Sequence, residues 1–294
     1  MLYTVRHITE YRYGDAASLS QNQARLRPRD TAWQQCLEYQ LQVQPVPFSR
    51  SERADYFGNH VTDFFIQAPH SVFAVTSEAR VEVNSPPPLP RDTMPWEQAA
   101  TELRSPRNRD MLDAGQYTFA SHAAPQRQEL LEWAVDLFPP GRTILDGAMA
   151  LLSRIHREFR YDKMATGVNT PVMEVFAMRR GVCQDFAHLM IACLRSLGLS
   201  ARYVSGYLRT RPPPGKPRLV GMDASHAWLS VFVPPGMWVD LDPTNNQPAT
   251  EAYITTAWGR DYHDVAPLRG VFLGGRSHVL RVSVDVESAG EEAP

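Results

Sequence analysis

Hydrophobic and polar residues alternate with a period of two along three stretches of the first ninety residues. The stretches are 37–47, 60–66 and 72–83, and they are rich in β-branched and aromatic residues. The segment DYFGNH, between the first two stretches, carries the Gly and Asn that favour turns. This part of the chain is therefore predicted to form an antiparallel sheet or a β-sandwich.

A run of prolines ends this pattern. The sequence SPPPLPRDTMP occupies residues 85–95, and its stacked prolines lack backbone donors and keep the chain extended. We place a domain boundary here. Residues 1–90 are then a β-rich N-terminal domain, and residues 91–125 are a connector.

Beyond the connector, apolar residues recur with the period of an α-helix. Two predicted helices cover 126–138 and 144–159, and a third runs from near Cys183 to Gly198, with the glycine in the usual C-terminal position. The apolar face of the third helix consists of Phe186, Leu189, Met190, Cys193, Leu194 and Leu197.

After the third helix the two-residue alternation returns. The predicted strands are 201–208, 226–233 and 237–242. The chain from 126 to 275 is therefore predicted to be an α+β core. The final segment, 276–294, is expected to add a returning strand at 279–286 and then an acidic, disordered tail.

Composition narrows the classes of partner. The 294 residues include 30 basic and 32 acidic ones, a net charge of -2 without a block of Lys and Arg, which argues against nucleic-acid and membrane-surface binding. No run of about 18 apolar residues predicts a membrane span. Charges within the first twenty residues argue against a secretory signal, so a cytoplasmic location is expected. The three cysteines are expected to be free thiols, as in a reducing compartment.

Cys183 stands at the predicted start of the third helix. Unpaired N–H groups and the positive end of the helix dipole stabilise a thiolate there, and Arg179 and Arg180 add positive charge. Because the thiolate is the nucleophilic form of cysteine, this position suits covalent catalysis. The alternative is a buried cysteine that packs as a small hydrophobic residue, an interpretation that fits Cys193 well.

A nucleophilic cysteine needs a base close to it in space. His226 begins a predicted strand after a loop, and Trp228 follows it on the same face of the strand. Asp242, at the end of the next predicted strand, could orient the imidazole and stabilise its charged form. Asp240 lies on the same face and competes for that role. The residues therefore suggest a Cys-His-Asp triad with either aspartate as its carboxylate.

The stretches GVCQDFAHL, LGLSARYVSGY, HAW and DPTNN, in this order and at these separations, resemble the core of the transglutaminase-like superfamily. Members of that superfamily use a papain-like triad, so the resemblance implies Cys183 as nucleophile, His226 as base and Asp242 as carboxylate. Residues 3–29 resemble the N-terminal region of bacterial transglutaminase-like proteins, and 259–275 resemble the segment after their triad. The implied fold is α+β, with a sandwich-like N-terminal domain and a catalytic helix packed on an antiparallel sheet.

The activity that this resemblance implies is acyl transfer on amide bonds of peptide or protein substrates, through a thioester on Cys183. Water as acceptor makes the enzyme a peptidase or amidase, and an amine as acceptor makes it a transamidase. A catalytically silent peptide-binding module is a further alternative. The expected partner is a peptide or protein, not a nucleic acid or a membrane. No dense acidic calcium loop occurs, so neither a metal nor a cofactor is expected.

The second donor of an oxyanion hole is harder to predict. The backbone N–H of Cys183 is the expected first donor. Papain-type enzymes also use a Gln six residues before the cysteine, but this chain has Ala177 there. Tyr161 and the side chain of Gln184 are the candidates, although a tyrosine such as Tyr161 also commonly packs for structural reasons.

Other residues near the motif are expected to support it. Asp185 and His188 follow Cys183 closely, but no second cluster at zinc-ligand spacing accompanies them, so they are expected to brace the helix. The basic, proline-rich segment 209–218 is expected either to border the cleft and select substrates or to be a solvated loop. The resemblance implies that residues 260–262 support the site from behind.

Overall fold

The computed structural model describes residues 1–210 and 224–289. Most of the segment 209–218, and the acidic tail beyond Ala289, therefore lie outside the described residues. Five strands within the first 83 residues belong to one antiparallel sheet, as their two-residue alternation predicts. These strands are β1 Leu2–Ala24, β2 Gln34–Gln44, β3 Ser49–Ala54, β4 His60–Ile66 and β5 His70–Val83.

The connector 91–125 contains two helices that the sequence pattern does not predict. Helix α1 covers Trp96–Arg104 and helix α2 covers Arg109–Gly115, the second of them capped by the side chain of Asn108. Both helices are short and bury few residues, so they leave too few repeats for a period to be recognised.

The next helices follow the prediction with one difference. The helix predicted at 126–138 is shorter in the structure, where α3 covers Gln128–Ala134. A single 3-10 turn follows it and leads to two prolines, which disfavour a continued helix. The helix predicted at 144–159 is confirmed as α4, Ile144–Glu158. Three short elements follow, namely β6 Arg160–Tyr161, α5 Val172–Met178 and β7 Arg180–Gly181.

The predicted third helix is confirmed as α6, Cys183–Ser196, and Gly198 after it has the left-handed φ of 77° that suits a glycine. The strands after α6 are β8 Ala201–Leu208, β9 Ala224–Val233, β10 Met237–Asp242, β11 Gln247–Pro248 and β12 Tyr253–Gly259. They form an antiparallel sheet in the order β11-β10-β9-β8-β12, and α6 packs on β9 and β8. This confirms the predicted α+β core with a helix packed on an antiparallel sheet.

The end of the chain returns to the N-terminal sheet. After the short helix α7, Tyr262–Val265, the strands β13 Leu268–Gly274 and β14 His278–Ser288 both pair antiparallel with β1. The register of β1 with β5 shifts between Arg12 and Ala17, an irregularity of the kind that bends and twists a sheet. The division of the chain into domains at residues 90, 125 and 275 stays a prediction.

The N-terminal sheet packs along β12 and β8 of the core sheet. The hydroxyl of Tyr207 and the imidazole of His7 form a buried hydrogen bond of 3.0 Å. The side-chain amide of Asn59 donates to the carbonyl oxygen of Trp258 and accepts the backbone N–H of the same residue, both at 2.9 Å. Burial lowers the pKa of His7 to about 4, so this contact is uncharged at neutral pH. The two sheets thus share a polar and apolar interface.

Within the described residues, no helix has the length and apolar character that crossing a lipid bilayer requires.

Arg195, in the last turn of α6, connects this helix by hydrogen bonds to three other segments of the chain. Its side chain is fully buried, and burial lowers its pKa to about 10, so the guanidinium remains charged at neutral pH. The guanidinium donates hydrogen bonds of 2.7 to 3.3 Å, and its acceptors are the carbonyl oxygens of Tyr117, Ala201 and Arg260 and the hydroxyl of Ser121. The C-terminal end of α6 is therefore fixed by a single buried cation.

Replacement of this cation should destabilise the fold. Arg195→Met is expected to lower the free energy of unfolding by about 3 kcal/mol or more, because several buried carbonyl groups lose their donor. Arg127→Met, which removes an exposed arginine nearby, should stay within about 0.5 kcal/mol of the wild type. Urea unfolding followed by circular dichroism measures both variants, and equally small losses would contradict the anchoring role of Arg195.

Candidate active site

The turn that leads into α6 is shaped by a glycine and an acid. The backbone N–H of Val182 donates to Oδ2 of Asp185 at 2.8 Å, and the hydroxyl of Thr166 donates to the same oxygen at 2.6 Å. A Cβ on Gly181 would lie 2.6 Å from that oxygen, so the turn has no room for a side chain there. Cys183 is thereby held, half-buried, as the first residue of α6, where the helix leaves its N–H groups unpaired.

His226 lies near the start of β9, and Asp242 lies at the end of β10 beside it. The Nε2 atom of His226 and the Oδ2 atom of Asp242 are 2.7 Å apart, and both side chains are buried. Cys183 lies close enough to His226 to raise the pKa of the imidazole. The three residues that the sequence singles out are therefore neighbours at the point where α6, β9 and β10 meet.

The surroundings of His226 favour its charged form. Burial lowers its pKa, but the interactions with Asp242 and Cys183, with the hydrogen bond to Asp242 first among them, raise the pKa to about 10. The imidazole is thus protonated at neutral pH. For Asp242, burial raises the pKa, but its hydrogen-bond donors, with His226 first among them, hold it below its usual range.

The same oxygen of Asp242 that contacts His226 accepts two further hydrogen bonds, from residues that the sequence pattern did not single out. The hydroxyl of Tyr253 donates to Oδ2 at 2.7 Å, and the side-chain amide of Asn245 donates to it at 2.6 Å. The amide of Gln247 donates in turn to the Tyr253 hydroxyl at 2.9 Å. Asn245 lies in the DPTNN motif, which gave a signal for it, whereas Tyr253 lies on β12 outside any motif.

The competing carboxylate, Asp240, bonds elsewhere. It accepts a hydrogen bond from the hydroxyl of Ser230, which is its partner residue on β9. Burial raises the pKa of Asp240, and the nearby guanidinium of Arg202 opposes that rise. In this geometry Asp242, and not Asp240, is bonded to His226.

Trp228 lies beside His226 on the same face of β9. The two rings are nearly parallel, with their planes at 29° and their centroids 6.1 Å apart, and Trp228 is fully buried. Gly206 is paired with His226 on β8, and a Cβ on this glycine would lie only 2.6 Å from the Trp228 ring and 2.0 Å from the carbonyl oxygen of Ile254. The absence of a side chain at position 206 therefore lets the indole pack beside the imidazole.

The two candidate oxyanion donors have different surroundings. Tyr161 is partly exposed and pairs with Gly181 across β6 and β7, two residues before Cys183, and burial is the main cause that raises its pKa. The side-chain amide of Gln184 donates to the carbonyl oxygen of Val168 at 2.9 Å, so this donor is already engaged with the loop before α5.

Residues 260–262 and His188 pack on one another beside α6. The Nε2 atom of His188 accepts the backbone N–H of Tyr262 at 3.1 Å, and the His188 ring stacks on Tyr203. Burial lowers the pKa of His188 to about 3, so its ring is neutral and can accept this bond. Asp261 caps α7 and accepts the backbone N–H of Ala123. These residues hold α6 against the end of β12.

Across residues 1–210 and 224–289, no three or more His, Cys, Asp or Glu side chains are grouped so that they could hold a metal ion.

Two protein-family models match the chain. One describes the bacterial transglutaminase-like N-terminal region and matches residues 3–82, and the other describes the transglutaminase-like superfamily and matches residues 132–243. An uncharacterized protein of Mycobacterium tuberculosis, Rv2569c, is 42% identical over 293 residues, which cover 97% of this chain and 92% of the relative. The protein-glutamine gamma-glutamyltransferase of Pseudomonas aeruginosa is 36% identical over 99 residues, which cover 32% of this chain and 15% of that protein.

The fold is also similar to a solved structure, described as a "Putative Cysteine Protease from Cytophaga hutchinsonii". The two chains superpose with a TM-score of 0.78 at 20% sequence identity, and the match covers 99% of this chain and 92% of the other. A likeness at this identity bears on the fold alone. The two matched models and the near full-length relative lead to one conclusion: the chain belongs to the transglutaminase-like superfamily and carries the bacterial transglutaminase-like N-terminal region.

Proposed function

We propose that this protein is an enzyme that hydrolyses amide bonds of peptide or protein substrates, with Cys183 as nucleophile, His226 as acid and base, and Asp242 as orienting carboxylate. The observation that carries the proposal is the buried hydrogen bond between His226 and Asp242, with Cys183 near enough to raise the pKa of the same imidazole. The position of Cys183 at a helix N-terminus supports a nucleophilic sulfur.

The proposed reaction has two halves. The Cys183 thiolate attacks the carbonyl carbon of the amide and forms a C–S bond, and the His226 imidazolium gives its proton to the amine as the C–N bond breaks. In the second half, neutral His226 takes a proton from water, the oxygen attacks the thioester, and the C–S bond breaks to release a carboxylic acid and the thiolate. Asp242 stays ionised throughout and stabilises the imidazolium.

Charge that develops on the carbonyl oxygen needs donors. We assign the backbone N–H of Cys183 as one donor, because it belongs to the first turn of α6 and has no partner within the helix. The phenol of Tyr161 is the second candidate, since its backbone pairs with Gly181, two residues before Cys183, and its ring remains partly exposed. Gln184 is a weaker candidate because its amide is bonded to Val168.

Amine transfer is the second candidate function, because it proceeds through the same thioester. The observation in its favour is the match, over 99 residues, to the Pseudomonas aeruginosa protein named protein-glutamine gamma-glutamyltransferase. Transfer differs from hydrolysis only in the acceptor that resolves the thioester, so the two reactions can be separated by their products.

A peptide library incubated with the protein distinguishes these outcomes. Mass spectrometry should detect cleaved or deamidated peptides with the wild type, because water resolves the thioester. If transfer dominates, addition of the fluorescent amine dansylcadaverine should convert those products into amine adducts. Cys183→Ala and His226→Ala should each lower product formation by about a thousandfold or more, as for other nucleophile and base residues.

The matched control for these variants is Cys193→Ala, which removes a buried thiol from the apolar face of the same helix. It should form products at close to the wild-type rate. Products that persist in Cys183→Ala, or a library without any Cys183-dependent product, would contradict the proposed function.

The hydroxyl of Tyr253 should tune the acidic side of the pH profile. The wild-type pKa of Asp242 is lowered in part by this hydroxyl, so Tyr253→Phe should raise it, and the active ionised form should then be lost at a higher pH as the solution is acidified. The rate of Cys183-dependent product formation, measured against pH, should therefore show its acidic limb displaced upward.

Tyr207→Phe is the control for this prediction, because it also removes a buried hydroxyl from the core sheet, but one that bonds His7. Its acidic limb should coincide with that of the wild type. An equal fall in rate at every pH in Tyr253→Phe would mean that the hydroxyl acts on structure alone.

A further inference from the structure

A cavity of about 270 Å³ lies against the core sheet, between β10, the start of β12 and the proline-rich segment that follows β5. Its volume is close to the lower end of the range of roughly 300 to 1,000 Å³ that is typical of small-molecule pockets. The side chains that line it come from regions far apart in sequence, which include Trp33, Leu89, Trp238, Glu251 and Tyr253. The cavity has no part in the proposed chemistry.

The residues that line the cavity favour a ligand that carries a positive charge and an apolar chain. Three aromatic residues and five prolines contribute about half of the wall, and aromatic faces attract cations. The Arg202 guanidinium already lies 4.1 Å from the centre of the Trp238 ring, so Trp33 and Tyr253 are the aromatic rings left for a ligand. Two carboxylates, Asp240 and Glu251, also line the cavity. Among the described residues that line the cavity there is no Lys, Arg or His. The charged side chains of the wall are thus all acidic.

The two carboxylates differ in the hydrogen-bond donors and cations that already surround them. Asp240 accepts the hydroxyl of Ser230 and is influenced by the guanidinium of Arg202. Glu251 is half-buried and makes no hydrogen bond or ion pair with any residue in the described part of the chain. Its carboxylate is therefore available to a ligand at the cavity wall.

The same cavity touches the support of the candidate active site. Tyr253 lines it, and the hydroxyl of Tyr253 donates to Asp242 at 2.7 Å. A molecule in the cavity would contact the ring that fixes this hydroxyl. A ligand in the cavity would therefore contact Tyr253, which is itself hydrogen-bonded to Asp242, the partner of His226.

We propose that this cavity is a binding site for a small organic ammonium ion, a protonated primary amine with a short apolar chain, held by Glu251 and by the aromatic wall. The acidic wall selects the protonated amine, and Cys183 does not line the cavity, so the cavity is assigned as a binding site and not as the position of an acyl acceptor. This inference does not depend on the proposed catalytic roles.

Calorimetric titration of the full-length Cys183→Ala protein with pentylamine tests the assignment, because this variant prevents any acyl transfer. Pentan-1-ol serves as the neutral ligand of similar shape. Pentylamine should bind at least about tenfold more tightly than the alcohol, and Glu251→Gln should remove about tenfold of that affinity, as expected for the loss of one charge-assisted contact.

The control variant is Glu129→Gln, which makes the same change of charge on the exposed side of α3, away from the cavity. It should bind pentylamine as tightly as the parent protein. Equal affinities for the amine and the alcohol, equal affinities of the two glutamine variants, or no measurable binding of pentylamine would overturn the proposal. The titration uses the Cys183→Ala protein and measures no product formation, so a failure to bind pentylamine is distinct from a failure of the proposed function.

Discussion

The buried hydrogen bond between His226 and Asp242 is the contact on which the candidate site depends. An imidazolium with so little exposure is stable only beside an anion, and an ionised carboxylate that is fully buried needs donors of its own. Tyr253 and Asn245 supply these donors, and Gln247 fixes Tyr253. The charge on His226 thus rests on a network that extends from β9 across β10 to β12.

The third member of the site belongs to a different element, so its position depends on how α6 is held. The helix is fixed at both ends by buried polar groups. At the N-terminal end Asp185 accepts the backbone N–H of Val182 and the Thr166 hydroxyl, and at the C-terminal end Arg195 donates to carbonyl groups of three segments. Between these ends α6 packs through its apolar face on the core sheet. A helix held in this way cannot slide along its axis, which keeps Cys183 close to His226.

The sequence predicts the elements with strong periods well. Strand β10 and helix α6 are long or regular enough for their apolar residues to mark one face, whereas α1 and α2 are too short for this. The choice between Asp240 and Asp242 depends on register, because two residues separated by one position share a strand face. The structure separates them, because Asp242 bonds His226 whereas Asp240 is paired with Ser230 and bonds its hydroxyl. Tyr253 and the cavity beside it depend on contacts between distant parts of the chain, which no local pattern encodes.

The pH dependence of Cys183 alkylation by iodoacetamide, followed by peptide mass spectrometry, tests most directly whether His226 and Cys183 form an ion pair. A free thiol loses reactivity as the pH falls below about 8.5. If the pair forms, Cys183 in the wild type should still react well below that pH, because a protonated His226 close to the sulfur stabilises the thiolate, and His226→Ala should return the profile toward that of a free thiol. A wild-type profile that matches a free thiol, or one that is unchanged in His226→Ala, would contradict the ion pair.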